Sequence, residues 1–201
     1  MSKLLRMVIM AIAIITFNIQ QTEAQTNTDS LRKVIATLKD SDTNKVLLTT
    51  HLAQTYYHSS SDSQYNIARR ALSLASGNKY YRGVALALTE LGSSFFTRGL
   101  YDSAIASQKQ ALIIINENKL YKEASPVYSN IASALFRKGL YSEALINNDS
   151  ALNYAERYKQ HLQAGKVRSN IANIYYKMGN YTRALDYYLQ GLKIQEQEKG
   201  N

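Results

Sequence analysis

Apolar and small residues return along this chain at a fixed offset of 40 positions. The positions that keep this register are an apolar-small pair, a glycine, a tyrosine and two alanines: Leu91-Gly92, Ile131-Ala132 and Ile171-Ala172; Gly99, Gly139 and Gly179; Tyr101, Tyr141 and Tyr181; Ala104, Ala144 and Ala184; and Ala71-Leu72, Ala111-Leu112, Ala151-Leu152 and Gly191-Leu192. Self-similarity at a fixed period indicates a repeat architecture. The sequence therefore predicts four units, at about 45–78, 79–118, 119–158 and 159–201, the first of them degenerate.

Each unit has the pattern of two helices joined by a short turn. Leu91 and Phe95 stand at i and i+4, so they share one face of a first helix, which we call helix A. The glycine that follows, such as Gly139, fits the left-handed conformation that ends a helix. Ala144 and Ala151 then form a small-residue stripe on a second helix, helix B, and the short connection makes the two helices antiparallel.

This pattern of Leu-Gly, then Tyr or Phe, then Gly-x-Tyr, Ala and Ala-Leu resembles the tetratricopeptide repeat. The resemblance extends over about residues 45–201 and implies an all-α fold, a right-handed superhelical solenoid of antiparallel helix pairs. The family's usual period is about 34 residues, so we expect the extra residues, as in 116–124, to lengthen the helices. Long-period arrays of this type resemble extracytoplasmic sensor regions of Bacteroidetes-like histidine kinases and regulators.

The segment before the first unit, 25–44, predicts an N-terminal capping helix. Its amphipathic positions are Leu31, Val34, Ile35 and Leu38. Within the array, Ser125-Pro126 predicts an N-cap followed by proline at the first helical position. The last helix B is followed by no polar closing helix, so we expect either a longer protein or self-association through this apolar end.

The first 24 residues have the organisation of a signal peptide. Lys3 and Arg6 precede an apolar run at 7–17, and Thr22-Glu23-Ala24 offers small residues before a cleavage site after Ala24. A membrane span needs roughly 17–25 apolar residues, more than this run supplies. We therefore favour cleavage, and a periplasmic or secreted mature chain without a membrane span, over retention as an anchor.

Composition excludes several classes of chemistry. The chain has no cysteine, which removes disulfides, thiolate nucleophiles and a lipoprotein anchor. His51, His58 and His161 have no metal-ligand spacing, and no glycine-rich phosphate loop is present, so we predict no catalytic, cofactor-binding or metal site. Without the leader the chain carries 22 basic against 14 acidic residues, but they are scattered, which argues against nucleic-acid binding.

The resemblance also implies where a partner binds. In the family, helix A lines the concave surface, and the inward positions correspond here to Thr50, Gln54, Tyr57, Thr89, Ser93, Phe96, Ser129, Ser133, Phe136, Arg137, Ser169, Asn173, Tyr176 and Lys177. The aromatic members form a rail that either contacts a peptide or packs between helices as core. The hydroxyl and amide members could hydrogen-bond a peptide backbone. Thr50 and Gln54 stand where the family's carboxylate clamp has Lys and Asn, which argues against that mode of capture.

These observations support one leading hypothesis and one alternative. The leading hypothesis is an exported, non-catalytic scaffold that binds a protein or peptide in its concave groove and needs no cofactor. The alternative is the N-terminal sensory region, or a fragment, of a membrane-bound two-component histidine kinase or helix-turn-helix transcriptional regulator.

Overall fold

A computed structural model describes residues 28–199 of the chain. The predicted leader, residues 1–24, lies outside the described residues. Within them the structure is all-α, as predicted, and consists of nine helices: α1 (28–37), α2 (Thr43–Thr55), α3 (Ser61–Gly77), α4 (Tyr81–Thr97), α5 (Tyr101–Glu117), α6 (Ala124–Arg137), α7 (Tyr141–Arg157), α8 (His161–Lys177) and α9 (Tyr181–Lys199).

The helices stack as pairs. Each helix A packs against the helix B that follows it, and α2, α4, α6 and α8 also contact one another in succession. Helix A of each pair therefore lies beside helix A of the next and lines one face of the solenoid. The small-residue stripe of helix B is buried, with Ala104, Ala111, Ala144 and Ala151 all at 2% exposure or less. Small side chains at these positions allow the close approach of the paired helices.

Two helices of 17 residues and two connections of three residues make up the 40-residue period, as in α4, α5, α7 and α8. The connection from helix A to helix B contains the predicted left-handed glycine, with φ of 75° at Gly99 and 78° at Gly139. The Leu100 N–H donates to Phe95 O at 2.9 Å and the Gly99 N–H to Phe96 O at 3.0 Å. This pair of hydrogen bonds is the Schellman arrangement that satisfies the last carbonyls of a helix.

The connection from helix B to helix A uses a lysine in the same conformation. Lys79, Lys119 and Lys159 have φ of 51°, 55° and 55°. A side chain other than glycine is strained there, because its Cβ approaches the following carbonyl. Lysine thus recurs at this position with the same 40-residue spacing as the rest of the repeat.

The start of α6 differs from its prediction. Glu123 is the N-cap and Pro126 is the third helical residue, so the predicted cap at Ser125 is wrong. Proline is accepted at this position because the first turn of a helix has no intrahelical acceptor for its N–H groups. A 3₁₀ turn, Tyr121–Glu123, precedes α6. The Lys122 carbonyl, which an N–H at position 126 could have bonded, instead accepts from Gln160 Nε2 at 2.7 Å.

The predicted capping segment contains α1, which lies against α2. Ile35 is buried and Val34 is exposed. Arg32 Nη2 donates to the hydroxyl of Tyr56, the residue that caps the end of α2, at 2.6 Å.

Candidate binding cavity

A cavity of about 310 Å³, here called the inner cavity, opens on the face formed by the A helices. The residues that line it come from α4 to α8 and from the turn after α2: Tyr57, Gly92, Ser93, Phe96, Ala104, Gln108, Asn130, Ala132, Ser133, Phe136, Arg137, Asn148, Asn170, Asn173 and Ile174. The A helices supply the rim, while α5 and α7 supply the floor. Its volume is at the lower end of the range for small-ligand sites, roughly 300–1,000 Å³.

Three of the four rings in the predicted aromatic rail line the inner cavity. These are Tyr57, Phe96 and Phe136, whereas Tyr176 lies outside it and is 55% exposed. The rings of Phe96 and Phe136 also contact the first tyrosine of their own helix B, with centroids 5.6 Å and 5.7 Å apart. Each of these two phenylalanine rings therefore packs against helix B and also borders the cavity.

The predicted hydroxyl ladder divides into buried and cavity-lining members. Thr50, Thr89 and Ser129 are buried and lie outside the cavity lining. The two threonine hydroxyls donate to carbonyls one turn earlier in their own helices, each at 2.9 Å. Ser129 Oγ accepts from Asn170 Nδ2 at 3.0 Å. These hydroxyl groups are engaged in contacts within the array.

Ser93 and Ser133 do line the cavity. Their hydroxyls donate to the carbonyls of Thr89 at 3.1 Å and Ser129 at 2.9 Å. Their oxygens therefore remain available as acceptors. Ser169, the equivalent residue in the next pair, lies outside the cavity and donates to its own helix at 3.2 Å.

Polar groups of the predicted groove reach the cavity from α6 and α8. Arg137 lies at the rim, with its guanidinium carbon 5.9 Å from the centroid of the Phe96 ring. Burial raises the pKa of the Tyr57 phenol, and the positive charge of Arg137 opposes that shift. Asn173 Oδ1 accepts from the Tyr188 hydroxyl at 2.5 Å. Lys177 is exposed and lies outside the cavity lining.

Gln54 donates a hydrogen bond to a buried carboxylate, that of Glu90, which the sequence did not single out. Its Nε2 donates to Glu90 Oε1 at 2.9 Å, and Gln64 Nε2 donates to Glu90 Oε2 at 3.2 Å. Burial raises the pKa of the Glu90 carboxyl; the two amide hydrogen bonds and the charge of His51 act against this. Glu90 occupies the register position of Asn130 and Asn170, so the 40-residue alignment could have singled it out.

The floor of the cavity contains two amides that sequence reasoning also missed. Gln108 and Asn148 stand 40 residues apart on helix B, and each is 1% exposed. Gln108 Nε2 donates to Thr89 O at 3.0 Å. Gln108 Oε1 and Asn148 Oδ1 have no hydrogen-bond partner within the described residues. A polar residue four positions after the buried alanine of helix B was the available indication.

Helix α9 carries three exposed leucines. Leu185, Leu189 and Leu192 are 58%, 55% and 50% exposed. Their register equivalents in α7 include Leu145 and Leu152, which pack against the core. The α7 residues are covered by the next helix pair, and the α9 residues have no such cover in the described part of the chain.

Neither metal-binding nor membrane-spanning features occur in the described region. Across residues 28–199, no group of three or more histidine, aspartate or glutamate side chains is placed to hold a metal ion. No helix in that range combines the length and apolar character needed to cross a membrane.

Residues 123–197 match the family model of the tetratricopeptide repeat. No curated protein matches the chain. A Rap protein complexed with competence and sporulation factor is 19% identical, with a TM-score of 0.76, over 89% of this chain and 51% of its own. Aspartyl phosphate phosphatase F from Bacillus subtilis is 17% identical, with a TM-score of 0.71, over 84% of this chain and 44% of its own.

A third solved structure shares the fold over a smaller part of its length. A signal transduction ATPase with numerous domains from Pyrococcus horikoshii, which has a tetratricopeptide repeat sensor, is 14% identical, with a TM-score of 0.68. The match covers 93% of this chain and 30% of that protein. This chain thus spans about half or less of each of the three proteins. The chain therefore has the fold of a right-handed tetratricopeptide-type solenoid, and residues 123–197 match the repeat in sequence as well.

Proposed function

We propose that this chain is an exported, non-catalytic scaffold that binds a peptide or protein partner in the inner cavity. The inner cavity itself is the observation that carries the proposal. It is concave, is bordered by three aromatic rings, and is lined by hydroxyl, amide and guanidinium side chains, which is the combination of apolar surface and a few convergent polar groups typical of a binding site.

The structural comparisons support the binding role. The Rap protein was solved in complex with competence and sporulation factor, and its alignment covers 89% of this chain. A solenoid of this shape can therefore hold a bound factor in another protein. Because the identity is 19%, the similarity concerns the fold alone. The partner of this chain must therefore be inferred from the residues of its own cavity.

A pair of matched variants tests the binding role. Phe136 and Tyr176 occupy the same register position, but Phe136 borders the cavity and Tyr176 does not. A displayed library of random peptides is selected on the full chain, and binding of the enriched peptides is measured by fluorescence polarisation. Phe136→Ala should weaken binding by about tenfold or more, as loss of an aromatic anchor costs about 2 kcal/mol, while Tyr176→Ala should leave it near wild type. Enrichment of no peptide would count against the role, and so would equal effects of the two variants.

Export is the second part of the proposal, and it rests on the leader in residues 1–24. The full chain with a C-terminal tag is expressed in a Gram-negative bacterium, and the mass of the tagged protein is measured in the periplasmic fraction. A mature protein that begins at Gln25 supports export. An intact chain confined to the cytoplasm would refute it.

The alternative function is the sensory region of a membrane-bound histidine kinase or helix-turn-helix regulator. It is favoured by the uncovered leucines of α9 and by the tetratricopeptide repeat sensor that the Pyrococcus horikoshii protein carries. Genomic DNA downstream of codon 201 decides between the two. A membrane span followed by a kinase or regulator frame would support the alternative, and a stop codon at that point would exclude it.

A further inference from the structure

One charged side chain, that of Arg137, is among the residues that line the inner cavity in the described part of the chain. Within residues 28–199 its guanidinium takes part in no ion pair and no side-chain hydrogen bond, and it lies over the ring of Phe96. A guanidinium has five N–H donors and no acceptor. Those donors are therefore available to a ligand in the cavity.

Several other cationic side chains of the array are paired with carboxylates. Lys138, the residue directly after Arg137, bonds to Asp102 in the preceding unit at 2.5 Å. Further ion pairs join Arg82 to Glu123, Arg98 to Asp62 and Arg168 to Glu156. Arg137 has no such pair among the described residues and lines the cavity, so its charge remains open to a partner that enters from outside.

The amide of Asn173 is oriented so that it presents donors to the same cavity. Its Oδ1 accepts from the hydroxyl of Tyr188 at 2.5 Å, and Asn173 is among the lining residues. Within residues 28–199 its Nδ2 donates to no side chain or carbonyl, so both N–H groups remain available. The Tyr188 hydroxyl thus determines which end of the amide a ligand meets.

The hydroxyl of Tyr57 adds a donor beside Arg137. The charge of Arg137 acts on the pKa of this phenol, which shows that the two groups are near each other. Burial raises that pKa, so the phenol keeps its proton at neutral pH and can donate. Tyr57, Arg137 and Asn173 belong to three separate elements, namely the turn after α2, α6 and α8, and their donors converge on one cavity.

Negative charge near these donors is weak. No carboxylate lines the cavity in the described part of the chain, and Glu90, which acts on the pKa of Tyr57, lies outside the lining. Both oxygens of Glu90 already accept from the amides of Gln54 and Gln64. Burial also raises the pKa of Glu90, which favours its neutral form. An anion in the cavity would therefore meet little repulsion.

This set of groups discriminates among the chemical classes that a peptide can offer. A cationic side chain would be repelled by Arg137 and would find no carboxylate partner in the lining. A neutral side chain would leave the guanidinium without a counter-charge. A carboxylate accepts the paired N–H groups of a guanidinium in bidentate geometry, and such charge-assisted hydrogen bonds are stronger than neutral ones.

We infer that the inner cavity recognises a carboxylate of the bound peptide, supplied by an Asp or Glu side chain or by the C-terminus. Arg137 pairs with this carboxylate, Asn173 Nδ2 donates to it, and the aromatic rings contact the adjoining residues. The site differs from the family's carboxylate clamp, because Thr50 is buried and Gln54 donates to Glu90. The inference rests on the proposed binding function and adds the charge of the group that is recognised.

Peptides of known sequence test the charge requirement. A random library displayed with free C-termini is selected on the full chain, and each enriched peptide is remade in two forms. One form has Asn or Gln in place of each Asp or Glu, and the other has an amidated C-terminus. One of the two changes should weaken binding by about tenfold or more, because hydrogen bonds to charged groups are the strong ones. Which change does so identifies the source of the carboxylate.

Protein variants test the role of Arg137. Arg137→Gln should weaken the carboxylate peptide by about tenfold and change its neutral analogue by less than about twofold, because the pairing partner is absent in the analogue. Arg137→Lys retains the charge without the fork and should recover part of the loss. Asn173→Ala should produce a smaller loss, again confined to the carboxylate form. The melting temperature should not change, since Arg137 and Asn173 are exposed.

Lys177→Gln is the matched control for charge. Lys177 stands at the register position of Arg137 in the next unit and lies outside the cavity lining. It removes the same charge from the protein, so a loss that came from net charge alone would appear equally in both variants. We expect Lys177→Gln to leave both peptide forms within about twofold of wild type.

The outcomes separate this inference from the proposed function. If peptides are enriched and Phe136→Ala weakens them, the binding function stands. Enriched peptides that bind equally well in neutral form would then overturn the inference, as would equal effects of Arg137→Gln on the two forms or equal effects of Arg137→Gln and Lys177→Gln. If no peptide is enriched, both proposals fail.

Discussion

The Gly92→Ala substitution would place a methyl group against the amide of Gln108. An ideal Cβ at position 92 lies 2.4 Å from Gln108 Nε2 and 2.9 Å from its Cδ, well inside van der Waals contact. The amide is the flexible end of its side chain, so it can move. Movement, however, breaks its 3.0 Å hydrogen bond to Thr89 O in a buried site.

Three effects set the magnitude of this change. Overpacking of a buried site costs about 1–3 kcal/mol, and the lost hydrogen bond costs about 0.5–1.5 kcal/mol. Alanine inside a helix is better than glycine by about 1 kcal/mol. Because the movement that relieves the overlap is the one that breaks the hydrogen bond, the two costs do not fully add. We expect a net loss of about 1–2 kcal/mol, which lowers the melting temperature by about 2–8 °C.

The next unit contains the compensating change. At the same register positions it has Ala132 with Asn148, where the second unit has Gly92 with Gln108. The shorter amide leaves room for the methyl group. The double variant Gly92→Ala/Gln108→Asn should therefore recover about 1 kcal/mol of the loss, and the two substitutions should be non-additive.

Urea unfolding followed by far-ultraviolet circular dichroism measures all four corners of this cycle. Gly77→Ala is the control, because a Cβ at that position meets nothing within 4 Å and the φ is not positive. It should be neutral or stabilising. A Gly92→Ala protein as stable as wild type would refute the steric argument, as would a double variant no more stable than the sum of the single changes.

Four further predictions concern other parts of the molecule. Lys119→Gly should raise the free energy of unfolding in urea by about 0.5–1 kcal/mol and Gly139→Ala should lower it by about 1 kcal/mol, because both positions have positive φ. Wild-type stability should fall as pH rises above 4.5, because burial raises the pKa of Glu90 and the folded state keeps a proton that the unfolded state has lost. Glu90→Gln should reduce this decline in urea unfolding at a series of pH values, while Asp149, whose pKa is also raised by burial, continues to contribute. Gln160→Ala, which uncaps a carbonyl at the start of α6, should cost about 0.5–1 kcal/mol by the same unfolding assay. Leu189→Lys should abolish any self-association through the exposed leucines of α9. Sedimentation velocity measures the mass of the wild type and of the variant over a series of concentrations, and the same result for both would exclude that contact.

The helix pairs could be predicted because their determinants are local and repeat. Gly139 ends a helix through its own backbone freedom, and Ala144 allows close approach wherever helix B lies. The same glycine and alanine positions recur in successive units, so a 40-residue alignment reveals them without knowledge of the partner helices. The aromatic positions Phe96 and Phe136 were placed on helix A for the same reason.

Features that depend on a choice between two local solutions were harder to predict. Ser125-Pro126 fits a cap followed by proline, yet proline is equally acceptable two residues further into the first turn. The position that proline occupies depends on Gln160, about one unit later in the sequence. Its side-chain amide donates to the Lys122 carbonyl, which Pro126 cannot bond. Lys119 takes a conformation that normally favours glycine, and only the backbone of the connection reveals it.

The floor of the cavity shows why its chemistry escaped a reading of helix A alone. Polarity in a sequence usually predicts exposure, but Gln108 and Asn148 are polar and buried. In the first unit the two residue types exchange places, because Gln64 stands at the register position of Ala104 and Ala68 stands at that of Gln108. In the next two units the length of the amide follows the space left by helix A, since Gln108 lies against Gly92 and the shorter Asn148 occurs in the unit that has Ala132. The identity of a buried residue on helix B therefore depends on the helix packed against it, and a pattern read from helix A alone does not reveal which position holds the amide.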